Sequence, residues 1–222
     1  MDSDRKTAIV VGVLFIIATA APITSAFFTG SIYEADYLTA VAANENQVLI
    51  GVLLLLTMTA SVVSIPIVIY PILKKRNETL ALGYVGARIF EGFFSAVNII
   101  SLLSLLSLSR EFVNASAPLA SYFQTSGALI LANYDWGSIL LNFPFALSVL
   151  VFNYVLYKSR LVPRWLSGWG FIGGALWLAT APVALFDLTP SWTALAAPIA
   201  VQEMVFAVWL IAKGFNSSAI AS

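Results

Sequence analysis

The chain of 222 residues contains no cysteine and no histidine. Without cysteine there is no thiol nucleophile, no disulfide, no iron–sulfur ligation and no thiolate zinc site. Without histidine there is no imidazole base and no haem or zinc–imidazole ligation. Zinc-dependent intramembrane hydrolysis and Ser–His proteolysis are excluded as mechanisms. Acid–base chemistry is left to carboxylates, Lys and Tyr. Charge is scarce too: 10% of residues are charged, where soluble domains carry about 25%. Eleven basic residues balance eleven acidic ones, so no basic excess points to nucleic acid. No metal and no cofactor is expected.

What the chain has in excess is apolar surface. It is 60% hydrophobic and its mean hydropathy is +0.92, outside the soluble range. A bilayer core takes about 20 apolar residues at about 1.5 Å rise per residue. Six runs meet that length, over residues 8–28, 48–73, 80–108, 136–157, 165–186 and 193–212. The expected fold is therefore all-α, one integral membrane bundle of six transmembrane helices spanning residues 1–222. The first run has a basic start and a small-residue stretch at 18–20, like a signal peptide. It continues apolar to Phe28 and is read as a retained span. Two longer connections, 29–47 and 109–135, are expected to hold an extra interfacial helix or helical extensions.

Small residues repeat as Gly83-x-x-Gly86 and Gly170-x-x-Gly173-Gly174, a pattern that permits close helix contact. Pro22, Pro66, Pro144, Pro182 and Pro198 each fall within an apolar run and each removes one backbone hydrogen bond. The third run has no proline and is expected to form a straight central helix.

The segment GARIFEGF, residues 86–93, places Arg88 and Glu91 inside the third run. Arg88 lies about 12 Å deep and Glu91 one turn further, near the midplane. A charge at that depth costs about 2.5–3.5 kcal/mol on insertion scales, so both should face protein. Tyr84, Arg88, Glu91, Ser95 and Asn98 are spaced 4, 3, 4 and 3 residues apart and share one helix face. Gln202 and Glu203 sit at a compatible depth in the sixth run. The fourth offers Ser138, Asn142 and Asn153, with Asp135 at its entrance, and the second offers Thr57, Ser61 and Ser64. One cation facing two carboxylates leaves a surplus negative charge, and one of the two glutamates is expected to carry a proton at neutral pH. The expected polar core, binding or structural, comprises Tyr84, Arg88, Glu91, Ser95, Asn98, Asn142, Gln202 and Glu203, with no catalytic residue assigned.

The segments YPILKKRNETLALGYVGARIFEG, SRLVPRWLSGWGFIGG and QEMVFAVWLIAKGF resemble a family of bacterial multi-pass membrane proteins known as domain of unknown function 4386. The resemblance implies an integral membrane protein of six or seven helices and no defined activity. The residues leave three functions open: a binding module for a small amphipathic or lipid-like ligand, or a structural role; a small proton-coupled secondary transporter; and a lipid-modifying enzyme, for which no nucleophile or phosphate loop is visible. Partners are the lipid bilayer and such a ligand, with oligomerisation left open.

Orientation follows from basic residues. Arg5, Lys6, Lys74, Lys75, Arg76, Lys158, Arg160, Arg164 and Lys213 fall on one side of a six-helix threading, and Arg110 alone falls on the other. The positive-inside rule puts both termini in the cytoplasm of a cell-membrane protein. Trp165 and Trp209 would mark the inner interface, Trp136 and Trp192 the outer one. The chain lacks native cysteine, so single cysteines report topology cleanly. Asn77→Cys and Ser217→Cys should resist an impermeant thiol reagent on intact cells while Asn114→Cys reacts; the reverse pattern would overturn the orientation.

Overall fold

A computed structural model describes residues 3–115, 120–186 and 195–221. Every regular element among the described residues is helical. Helix α1 runs Ser3–Thr29 and a 3₁₀ turn Gly30–Tyr33 leads to the short α2, Tyr37–Ala43. Then come α3 (Glu45–Leu73), α4 (Glu78–Asn114), α5 (Ala120–Ser159), α6 (Arg164–Leu185), α7 (Ala197–Ala212) and α8 (Ser217–Ala221). Asn77 starts α4 as an N-cap, its side chain accepting from the Leu80 amide at 2.9 Å.

Five helices are long and apolar enough to cross a membrane: α1, α3, α4, α5 and α6. The expected sixth span is the shorter α7, whose 16 residues reach about 24 Å, less than the ~30 Å hydrocarbon core. Residues 187–194, which include Asp187, Trp192 and the start expected for this span, lie outside the described residues. The connection expected over 109–135 is largely helix. With 37 residues in α4 and 40 in α5, the two extend about 55–60 Å, well past a bilayer core. The other long connection forms the 3₁₀ turn and α2, as its composition suggested.

Helix adjacency is a closed ring in chain order. Each of α1, α3, α4, α5, α6 and α7 packs on the next, and α7 returns to α1. The proline-free α4 is thus one wall of the ring, and the central-post expectation is corrected. The ring closes where α7 lies antiparallel to α1. There a Cβ on Gly12 would meet the Ala207 carbonyl at 2.8 Å, so the missing side chain lets two backbones meet. Arg5 completes the closure by donating to the last carbonyls of α7, Leu210 at 3.0 Å, Ile211 at 2.5 Å and Ala212 at 3.3 Å. Of these, Leu210 also accepts from the Gly214 amide at 3.1 Å, and a cation there complements the helix dipole. Nearby, Arg76 donates to the Ala219 carbonyl of α8. Pro198 falls in the first turn of α7, where no amide donor is needed, so it does not interrupt a helix interior as expected.

The core has two apolar parts. One, toward the basic face, gathers residues including Val11, Phe15, Ile65, Ile69, Tyr84, Phe152, Phe206 and Leu210. The other, toward the opposite face, gathers Leu38 and Val41 of α2 with Val48, Val52, Leu102, Leu105, Leu106 and Phe123. Across that opposite face Arg110 donates to both carboxylate oxygens of Glu45, at 3.0 and 2.5 Å, tying α4 to α3. Trp165 and Trp209 meet edge to face at 6.2 Å near the basic face.

Two asparagines pack their carbonyl oxygens on glycines of the following helix. Asn98 Oδ1 abuts Gly137, and Asn153 Oδ1 abuts Gly170. Neither oxygen accepts a hydrogen bond from a described residue; each occupies the space that a glycine Cβ would take. The small-residue motifs therefore differ. Gly170, Gly173 and Gly174 lie against Asn153, Ile199 and Val149, whereas Gly83 and Gly86 have nothing within 4 Å of a Cβ. The second pair lines a lipid-facing groove with Phe90, Phe93 and Phe143, so the helix contact suggested by its spacing is not made among the described residues.

Gly170→Ala would put its Cβ 2.5 Å from Asn153 Cγ and should destabilise the protein by about 1–3 kcal/mol through overpacking. Gly86→Ala should be neutral or stabilising, because alanine favours helix by up to about 1 kcal/mol over glycine. Thermal unfolding in detergent measures both; equal losses would refute the distinction.

Candidate functional site

Between the two apolar cores lies a polar layer. Its anchor is Arg88 on α4, 2% exposed. Arg88 Nη1 donates to Glu91 Oε2 at 3.1 Å and Oε1 at 3.4 Å. Glu91 is one helical turn away, so this pair belongs to α4 alone. Arg88 Nη2 lies 3.7 Å from Glu203 Oε1 on α7, an ionic contact too long for a strong hydrogen bond. Thr19 of α1 donates to the other Glu203 oxygen at 3.2 Å. The guanidinium is also ringed by aromatic faces, Phe15 at 5.9 Å, Tyr84 at 5.6 Å and Phe145 at 5.3 Å, each within cation–π range.

Of the residues expected in the polar core, Tyr84, Arg88, Glu91, Ser95, Asn98, Asn142 and Gln202 are buried, and Glu203 nearly so. They form three groups rather than one. Arg88, Glu91, Glu203 and Tyr84 make the charged centre. Ser95 and Thr59 of α3 share a hydrogen bond of 2.5 Å, and Asn98 donates to Ser138 of α5 at 3.0 Å; Asn142 lines the same region. Gln202 points away, donating to the Leu166 carbonyl of α6 at 3.1 Å, so it ties α7 to α6.

Several contributors were missed in the sequence. Thr19 sits in a run of small residues, and its place three residues before Pro22 and four after Phe15 was the available signal. Thr59 carries the link from α3 to Ser95, whereas Thr57 and Ser61 bond backward to their own helix, at 2.8 and 2.9 Å. Phe145 and Trp177 carry no polar pattern, and only packing reveals them.

The charged centre borders a cavity of about 280 Å³. Arg88, Glu91 and Glu203 lie on one side, and Phe15, Ala18, Phe145 and Trp177 supply apolar walls. A second chamber of about 290 Å³ carries Ser95, Asn98, Ser138, Asn142, Tyr33 and Tyr134. The two chambers share Pro22, Met58 and Leu141 as a boundary. Pro22 has no amide proton for the Ala18 carbonyl, one turn back beside the first chamber. On the basic side the charged centre rests on four packed rings. Tyr84 stacks on Phe152 at 4.7 Å, and Phe15 and Phe206 meet Phe152 at 6.0 and 5.5 Å. No group of three or more metal-ligating side chains occurs among the described residues.

This arrangement can hold a charged or hydrogen-bonding headgroup beside an apolar body. The pattern of the family described as a domain of unknown function (DUF4386) matches residues 10–214. The chain belongs to this family. No curated protein and no solved structure matches the chain. Membership agrees with the multi-pass helical architecture, and within the matched span the DUF4386 chain holds its whole charged centre, from Thr19 to Glu203.

Arg88→Leu strands two carboxylates, and breaking a buried pair costs about 3–5 kcal/mol. Arg88→Leu combined with Glu203→Leu should recover part of that loss, since fewer polar groups then lack partners. Thermal stability of the single and double variants measures the coupling. Strictly additive losses would show that the 3.7 Å contact carries no energy.

Proposed function

We propose that this DUF4386 protein is an intramembrane binding protein whose cavity beside Arg88, Glu91 and Glu203 takes a small amphipathic molecule. The observation that carries the reading is the cavity itself: charged groups on one side and apolar and aromatic walls on the others. Binding sites for small molecules have this composition, a mostly apolar hollow with a few placed polar groups. Intramembrane charges also mark ligand or ion pathways far more often than arbitrary positions. The site residues are Tyr84, Arg88, Glu91 and Glu203 at the charged centre, with Ser95, Asn98 and Asn142 toward the second chamber. Gln202 serves the framework. Both termini face the cytoplasm in this reading, so the second chamber lies on the outer side.

A second reading, a small proton-coupled secondary transporter, is favoured by one observation. Two chambers meet at a boundary of Pro22, Met58 and Leu141, while packed aromatic rings lie on the opposite side of the charged centre. That asymmetry is what one end-state of an alternating-access cycle requires. Transport would then need the rings around Phe152 to part.

The test is native mass spectrometry of the protein released from mild detergent. The wild type should carry a small-molecule adduct, and Ala18→Phe, which fills the cavity, should lose it while keeping its helical content and thermal transition. A wild-type spectrum without adduct, or an adduct unaffected in a folded Ala18→Phe variant, would overturn the binding reading.

A further inference from the structure

The charge count and geometry of the cavity specify more than an amphiphile. Arg88 and Glu91 form a self-contained pair on α4, both side chains at least nine-tenths buried, with two donor–acceptor contacts of 3.1 and 3.4 Å. Glu203 is different. It approaches Arg88 only to 3.7 Å, its remaining hydrogen bond comes from the neutral Thr19, and its side chain, 12% exposed, lines the cavity. One guanidinium therefore faces two carboxylates, and Glu203 is the one without a close cationic partner, so a proton or a guest cation must balance it. The titratable side chains in contact with this centre are Tyr84, Arg88 and Glu91 on α4 and Glu203 on α7.

Resting on the binding reading, we infer that the cavity takes a monocationic amphiphile, a protonated amine or quaternary ammonium, seated with its positive centre on Glu203. Three features agree with a cation rather than an anion or a neutral molecule. The unmatched carboxylate supplies the counter-charge. Trp177, which meets Phe145 edge to face at 5.0 Å, is an aromatic wall of the same space, and aromatic rings attract a desolvated cation; the Phe15 and Phe145 rings already lie by Arg88. Ala18 lines the cavity, and its carbonyl lacks the usual helix donor because Pro22 has no amide proton. An anion would meet two carboxylates and a guanidinium already hydrogen-bonded to Glu91. Small-molecule sites run about 300–1,000 Å³, so a cavity of about 280 Å³ suits an aromatic or short-chain amine rather than a two-tailed lipid.

The test uses three probes of matched size: benzyltrimethylammonium, its carbon isostere neopentylbenzene and 3-phenylpropanoate. Binding to the purified full chain in nanodiscs is read by ligand-dependent thermal stabilisation and by equilibrium dialysis of labelled probe. Benzyltrimethylammonium should bind, and Glu203→Gln should weaken it by at least about tenfold without changing the unliganded thermal transition by more than a few degrees. Ala18→Phe should abolish binding in a folded protein, which keeps the test decisive if Glu203→Gln folds poorly. Binding of the neutral or anionic probe in preference to the cation, with Ala18→Phe blocking it, would overturn the cation inference and leave the binding reading standing. Cation binding insensitive to both substitutions would place the probe elsewhere and overturn the inference. Failure of all three probes to bind would overturn it as well, and the adduct spectrum of the wild type then judges the binding reading separately.

Discussion

One buried guanidinium governs this bundle. Arg88 near the bilayer midplane is tolerable only if its charge is met and most of its donors are used, since the lipid offers neither. Its own helix supplies Glu91. The rest comes from far along the chain: Phe15 and Thr19 from α1, Phe145 from α5, Glu203 from α7. These helices can reach one point only if the chain bends into a ring and the last helix returns to the first. The α1–α7 seam is therefore a condition for burying Arg88. That is where Gly12 removes a side chain and Arg5 binds the carbonyl ends of α7. Lipid tails give helices no hydrophobic reason to associate, so small residues and polar contacts must do so.

The two apolar cores then acquire different tasks. The one toward the basic face is aromatic and dense at the charged centre, with Phe15, Tyr84, Phe152 and Phe206 in mutual contact. The opposite one builds a cap in which α2 and the far ends of α4 and α5 pack over one another. Between them the polar residues become less charged with distance from Arg88: carboxylates first, then Ser95 and Thr59, then Asn98 and Ser138. A polar molecule moving from the second chamber toward Arg88 would exchange neutral hydrogen-bonding partners for charged ones. Movement past the aromatic side offers no such exchange.

The sequence disclosed those features that depend on period and composition. The 4-3-4-3 spacing from Tyr84 to Asn98 put five residues on one face, and all five are buried, because a helix face is a local property. The depth argument matched Arg88 with Glu203 for the same reason. Features that depend on which helix lies beside which were hidden. Gly83-x-x-Gly86 and Gly170-x-x-Gly173 read alike, yet one faces lipid and the other seats Asn153. Thr57 and Thr59 have the same chemistry two residues apart, and rotation about α3 alone decides that Thr59 reaches Ser95. Gln202 adjoins Glu203 in sequence but turns to α6. Hydropathy does not register where α7 begins; Pro198, fitted to a first helical turn, was the overlooked signal.

A register-fixing ion pair would need neither of two things found here. It needs one cation and one anion, and Arg88–Glu91 already provides them within α4. Glu203 adds a carboxylate whose burial costs several kcal/mol unless something else compensates it. Nor does helix alignment need a pocket, yet Ala18 and Ala200 border one beside the same carboxylates, where larger apolar residues would close it. In the binding reading proposed above the two features belong together, because a positively charged guest would meet the carboxylate and the pocket at one point.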